Sequence, residues 1–416
     1  MMNNPGTMPA GARWPRYVQL VAAMRYPDFR VLWLSTMSNQ LGQGMQQVLL
    51  GWLVFEMTGS GGMVGAVFAA RSAPNLVVGF VAGSVTDRLD RRLLMRLSVI
   101  GMILCSVMLG LLVASDRFAV WHLMLATLAL GTLQAFYMTA RQAYVYDIVG
   151  SGGALNGIAL ISMAQRLGGV VGALAAGALI QWWGLGYSFY LMAGGYTLGF
   201  LALYWLRLVG DSAPAFQESM WQNLVNYFQA LKTNRTLLTL MITTAVAETF
   251  GFSHQVVLPI LAKDVLHVGA AGLGLLTAFR FLGGALGVFL GVAVGQAGHR
   301  GMLLVVILVL FGAGEVLLSQ APNFWFALGF VILINMMASV TDILHHTLLQ
   351  LSVPNEQRGR AMGVWIVGLG AAPGGQLEVG YLAGSAGPRI ALLTNGIALA
   401  TAAVLMGIVL PRLRRL

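Results

Sequence analysis

Stretches of about twenty apolar residues follow one another along nearly the whole chain, separated only by short polar breaks, and no water-soluble fold can bury so many. Only 9% of the 416 residues are charged and 58% are hydrophobic, where a soluble domain carries about 25% charged residues. There is too little charge to coat a water-facing surface, which excludes a soluble enzyme. Runs this long select helices over barrel strands, because a helix satisfies its backbone polar groups internally. The 53 glycines fit the same reading, since small residues let helices approach closely in lipid.

The expected fold class is therefore an all-α integral membrane protein with room for twelve transmembrane helices. Apolar runs and turn signals place spans at 30–55, 62–84, 93–114, 119–140, 155–181, 187–206, 236–261, 270–296, 301–319, 323–344, 361–383 and 390–410. The expected segments are a cytoplasmic tail at 1–28, a bundle at 29–207, a linker at 208–235, a second bundle at 236–410 and a basic tail at 411–416. With the N-terminus inside, eighteen of the 24 basic residues fall in inner segments, whereas Arg117, Lys263 and Arg389 fall outside. That bias places both termini on the cytoplasmic side of the membrane. In the linker, Phe216, Met220, Leu224, Phe228 and Leu231 share a helical face, as an amphipathic helix on the inner leaflet would require. The net charge of +10 is spread over short connections instead of forming a long basic run, so it argues for topology and against nucleic-acid binding. Cys105 is the single cysteine, so no intramolecular disulfide is expected, and no signal-peptide cleavage site follows the short apolar patch at 18–23.

The chain repeats itself. The loop from Gly83 to Arg92 finds its counterpart in Gly291 to Arg300, and Ala154-Leu155-Asn156-Gly157 falls opposite Arg360-Ala361-Met362-Gly363. Two pseudo-symmetric six-helix bundles follow, an arrangement typical of secondary transporters. The loop after the second span, Gly83-x3-Asp87-Arg88-x3-Arg92, resembles the signature of the major facilitator superfamily. Arg166-Leu167-Gly168, His345-x-Thr347-Leu348-Leu349-Gln350 and Gly359-Arg360-x-x-Gly363-x-Trp365 resemble its drug and siderophore (enterobactin-type) exporter branch, although Ala173 stands where members often carry proline. The resemblance implies the major facilitator fold and a conformational latch built from Gly83, Asp87, Arg88, Arg91, Arg92 and Arg141. In it Asp87 would meet the start of span eleven near Ala361. The alternative is that these arginines serve topology alone.

Seven ionisable residues lie in or near spans: Arg71, Arg166, Glu248, Arg280, Glu315, Asp342 and Glu378. Each is costly in lipid and must face protein or water. Spans one, four, seven and ten line the cavity in the superfamily, which makes Glu248 and then Asp342 the proton-coupling candidates; the alternative fixes Glu248 in a structural pair with Arg280 or Arg166. Glu315 reads as peripheral. Ser35, Asn39, Gln43, Gln46 and Gln47 mark one face of span one. Asn39, Gln43 and Gln46, with Phe136, Tyr137, Arg166 and Arg280, are substrate-cavity candidates, against the alternative that the amides only bond helix to helix. Span depth and the superfamily architecture together make Arg71 and Glu378 an expected outer gate. No zinc helix, nucleophile elbow or Walker loop occurs, so neither catalysis nor ATP drive, and neither metal nor cofactor, is expected.

The expected function is proton-coupled efflux of a bulky amphipathic small molecule by alternating access in a bacterial-type membrane. The partners are then that molecule, protons and membrane lipids, and the protein works as a monomer. The alternatives are an importer of the same superfamily and a non-transporting sensor or scaffold.

Overall fold

The computed structural model describes residues 21–88, 90–115, 117–207, 231, 234–294, 299–353, 358–410 and 413–414. Among them there is helix and no strand. A short 3-10 turn (Ala22–Arg25) leads into α1 (Pro27–Thr58), α2 (Gly61–Arg88) and α3 (Arg91–Ala114). Next come α4 (Val120–Gly150), α5 (151–183) and α6 (185–204), which run almost end to end and are separated by Gly150 and Gly184, at φ 66° and 80°. Only glycine takes that backbone region without strain, so these two positions turn the chain where a side chain would resist.

The second half holds α7 (Arg235–Val265), α8 (Gly269–Val294), α9 (Arg300–Ser319) and α10 (Phe324–Leu351). It ends with α11, broken into Arg358–Leu369 and Ala372–Ser385, and α12 (Pro388–Val409). Several starts are written in the sequence. Asp90 accepts from the Arg92 backbone N–H at 2.8 Å, Asn234 accepts from those of Thr236 and Leu237, and Asn323 from those of Trp325 and Phe326. Pro27 and Pro388 open α1 and α12, where a missing N–H costs nothing.

Eight of the described helical segments are long and apolar enough to cross a membrane. In that reckoning α5 and α6 count as one, and α1, α2 and α11 are not among the eight. Exposed aromatic residues mark both ends of the bundle, with Trp182, Trp183 and Trp325 at one and Tyr204 and Trp205 at the other, as in the aromatic belts of membrane proteins. The end carrying the α6–α7 connection is the linker end, and the opposite one the far end.

Close glycine contacts reveal the duplication. In the first half Gly172 packs on the Leu41 carbonyl (α5 on α1), Gly131 on that of Arg71 (α4 on α2) and Gly110 on Tyr190 (α3 on α6). In the second, Gly375 packs on Thr249 (α11 on α7), Gly283 on Ile332 (α8 on α10) and Gly312 on Gly396 (α9 on α12). The pairing order is the same in both halves, as a repeated six-helix unit requires. The halves meet through α2 against α11, at Gly61, Gly65, Gly380 and Gly384, and α5 against α8, at Gly177 and Gly274.

Two boundaries need correction. The fourth span, expected to stop at 140, continues to Gly150, and the tenth, expected to stop at 344, continues to Leu351. Both extensions carry polar residues such as Asp147 and His345 that pack against protein, so the helix outlasts the apolar run. The linker at 208–235 lies outside the described residues apart from Leu231, Asn234 and Arg235.

Candidate functional site

The polar interior lies between the halves at mid-depth. Arg280 on α8 donates from Nη1 to Gln255 Oε1 of α7 and from Nη2 to Gln47 Oε1 of α1, both at 2.7 Å, and so spans the two halves. Its guanidinium also sits 5.1 Å from the centre of the Phe281 ring. Arg166 on α5 crosses the other way and donates to Ser339 Oγ of α10 at 3.1 Å. Asp342, one turn beyond Ser339, lies within electrostatic reach of Arg166, and Glu248 within reach of Asp342. Glu248 is 9% exposed and sits in a π-helical turn, Ala247–Gly251, that interrupts α7. Such single-turn bulges recur at functional sites because they free backbone groups and re-aim side chains.

No carboxylate lies within 4.0 Å of Arg71, Arg166 or Arg280 among the described residues. The structural ion pair that was the alternative for Glu248, with Arg166 or Arg280, is not formed; both arginines hold neutral partners instead. His345, next to this group, is buried and meets Thr243 Oγ1 at 2.9 Å. His346 packs on Trp365, ring centres 4.2 Å apart.

Several cavity candidates belong elsewhere. Asn39 and Gln46 are 1% and 2% exposed inside the first half, where Asn39 faces Met102 Sδ and Gln46 Oε1 accepts from the Tyr196 hydroxyl at 2.9 Å. Gln43 is also buried, and Tyr137 is closed in the same core with its ring 5.6 Å from the Arg141 guanidinium. Phe136 packs beside Val78 and Ala135. Gln46 and Asn39 thus bond helix to helix within the first half, and Gln47 is the member of the α1 face that reaches the other half. A one-residue difference decides it, because neighbouring positions on a helix point about 100° apart.

At the linker end, Gly83, Asp87 and Arg88 fall in the last turns of α2, with side chains outside the described residues, as are those of Arg360 and Ala361. The arginines that follow are engaged by protein. Arg91 forms a buried ion pair with Asp147 of α4. Arg92 pairs with Asp90 at 3.1 Å and donates to the Arg207 carbonyl at 3.3 Å, and Arg96 donates to the Leu203 carbonyl at 2.9 Å. Burial pushes the Asp90 carboxyl up, but hydrogen bonds and charge from Arg92 outweigh it and hold the group below the usual carboxylate range. Asp147 was invisible to the sequence motif because it stands 56 residues beyond Arg91, on another helix.

The expected outer gate is not formed. Glu378 Oε2 accepts from Asn395 Nδ2 at 3.2 Å, within the second half, while Arg71 lies near Tyr196 of the first. The bridge between α2 and α11 is Ser72 Oγ to Gln376 Oε1 at 2.6 Å, beside the glycine contacts. Glu315 is also not peripheral: it is 0% exposed, with His254 Nδ1 3.7 Å from Oε1. The hydrogen bonds joining the halves among described residues all lie between mid-depth and the far end. Lys263 of α7 adds a further contact between the halves by sitting over the Trp52 and Phe55 rings of α1.

Two repeated helical halves that meet around an intramembrane polar cluster define a multi-pass membrane transporter of the major facilitator type. The transmembrane secretion effector family matches residues 19–415, and the chain belongs to it. It is 28% identical over 393 residues to the multidrug efflux pump Tap of Mycolicibacterium fortuitum, covering 90% of this chain and 93% of that protein. It is 24% identical over 398 residues to the enterobactin exporter EntS of Citrobacter koseri, covering 94% and 93%. In fold it matches a point mutant of the nucleoside transporter NupG with TM-score 0.78, 13% identity and coverage of 91% and 99%. A bacterial homologue of the human lysosomal transporter Spinster, captured inward-facing and unoccupied, gives 0.68, 16% identity and coverage of 97% and 99%. The family and these relatives are membrane transporters, not enzymes.

Proposed function

We propose that this protein exports a bulky amphipathic small molecule, of drug or siderophore-like kind, by alternating access coupled to inward proton movement. The observation that carries the reading is the Arg166–Asp342–Glu248 group, which stands at the interface of the two halves, with Arg166 itself bonded across it to Ser339. A weak acid buried there can take a proton from one side and release it to the other when access switches. The names of the two curated relatives support efflux of this substrate class. Both termini lie in the cytoplasm in this reading, on the strength of the basic-residue bias, so the conformation is closed outward and open inward. Asp87 and its neighbouring arginines then latch the linker end in the opposite state.

The test uses everted membrane vesicles with an imposed proton gradient and a fluorescent amphipathic substrate. Export appears there as gradient-driven uptake that collapses with an uncoupler. Uptake into right-side-out vesicles instead would assign the protein as an importer, and no transport in either would leave a sensor or scaffold.

A further inference from the structure

We infer that the interior site takes its substrate as an anion, with a carboxylate, phenolate or sulfonate group cradled between Arg166 and Arg280. This rests on the mid-depth interface being the substrate site.

Arginine stays charged under any physiological condition and offers five N–H donors in a fixed fork. Arg280 spends two of them on amide oxygens and Arg166 spends one on a hydroxyl. Most of their donors are therefore unspent among the described residues. Arg280 also lies within electrostatic reach of both Arg71 and Arg166, so the three cations burden one another. The acids nearby do not cancel them. Asp342 influences both Arg166 and Glu248, but neither acid approaches a guanidinium to salt-bridge distance.

Three half-buried cations with only neutral partners repel one another, and an anion bound between them relieves that repulsion through charge-assisted, bidentate hydrogen bonds. The cradle is also amphipathic: Arg280 lines a small cavity with Gln47, Gln255, Thr277 and Phe68. Phe68 brings an aromatic ring to that cavity, and the Phe281 ring lies against the Arg280 guanidinium. Because Arg166 and Arg280 belong to opposite halves, an anion between them would contact both halves at once, as a transported substrate must.

Two dyes on the same xanthene ring separate charge from shape: fluorescein, an anion, and tetramethylrhodamine methyl ester, a cation. Binding to the purified protein in phosphatidylcholine nanodiscs is read by fluorescence polarisation. Fluorescein should bind and the rhodamine should not. Arg166→Gln and Arg280→Gln should each weaken fluorescein by about 10- to 100-fold, as expected for losing one charged hydrogen-bond donor. Arg166→Lys and Arg280→Lys, which keep the charge, should retain most of the binding and guard against a merely misfolded glutamine variant. Rhodamine binding as tight as fluorescein, binding of neither dye, or glutamine variants that elute as folded protein and bind like the parent would overturn the inference. Displacement of fluorescein by a trace of phosphatidylglycerol, too little to charge the phosphatidylcholine bilayer, would also overturn it, by assigning the cradle to a lipid headgroup. No gradient is used, so anion binding without vesicle transport would refute the export reading alone, and transport without anion selectivity would refute this inference alone.

Discussion

Gly65→Ala should shift the protein away from the conformation seen here and toward one open at the far end. Gly65 faces α11, where an added Cβ meets the Gln376 carbonyl oxygen and comes 3.0 Å from Gly380 Cα. Both obstacles are backbone atoms of a packed helix, so relief requires α2 and α11 to move apart. Overpacking of this kind costs about 1–3 kcal/mol. The helix-propensity gain of alanine over glycine, about 0.5–1 kcal/mol, acts in both conformations and cancels. The surviving difference multiplies the far-open population by about 5- to 150-fold. The readout is maleimide labelling of Thr277→Cys in a Cys105→Ser background, since Thr277 lines the interhalf cavity and is 4% exposed while the far end is closed. Labelling from the far side should accelerate by that factor. Gly194→Ala, at a helical glycine with open space around it, should leave the rate alone. An unchanged rate in Gly65→Ala would show that α2 and α11 do not separate during the cycle.

Glu248→Gln should preserve substrate binding and abolish the pH dependence of transport, because the amide imitates the protonated acid without exchanging a proton; vesicle transport measured across a pH series checks it, and an unaltered profile moves the proton site to Asp342. Asp147→Asn strips the carboxylate from Arg91 and should cost about 3 kcal/mol, as removal of one partner from a buried pair does; a thermal melt in detergent identical to the parent's would refute it. Gln46→Leu leaves the buried Tyr196 hydroxyl without its acceptor and should cost about 1–3 kcal/mol of stability while sparing substrate affinity; the same melt paired with dye binding separates the two effects. Asp87→Asn should spare abundance and cripple transport if the latch operates, as quantified immunoblots and vesicle uptake would show.

The sequence by itself determined the solvent and the layout. Charge scarcity forces the chain into lipid, lipid forces helices, and the repeated loop segments around Gly83 and Gly291 make two equivalent halves, because these consequences follow from composition and local spacing. Caps such as Asn234 and Asn323 were equally local. Which charges meet was decided only by tertiary structure, for a physical reason. A costly charge in lipid must find some partner, but nothing along the chain says which helix supplies it. Arg166 found Ser339, Arg280 found Gln47 and Gln255, and Arg91 found Asp147, each on another helix. Rotation about a helix axis decided the rest: Gln46 turned into the first half while Gln47, one position on, turned across to the second. Glu315 and His254 meet inside the second half only because α7 and α9 pack there, a contact no periodicity within either helix records.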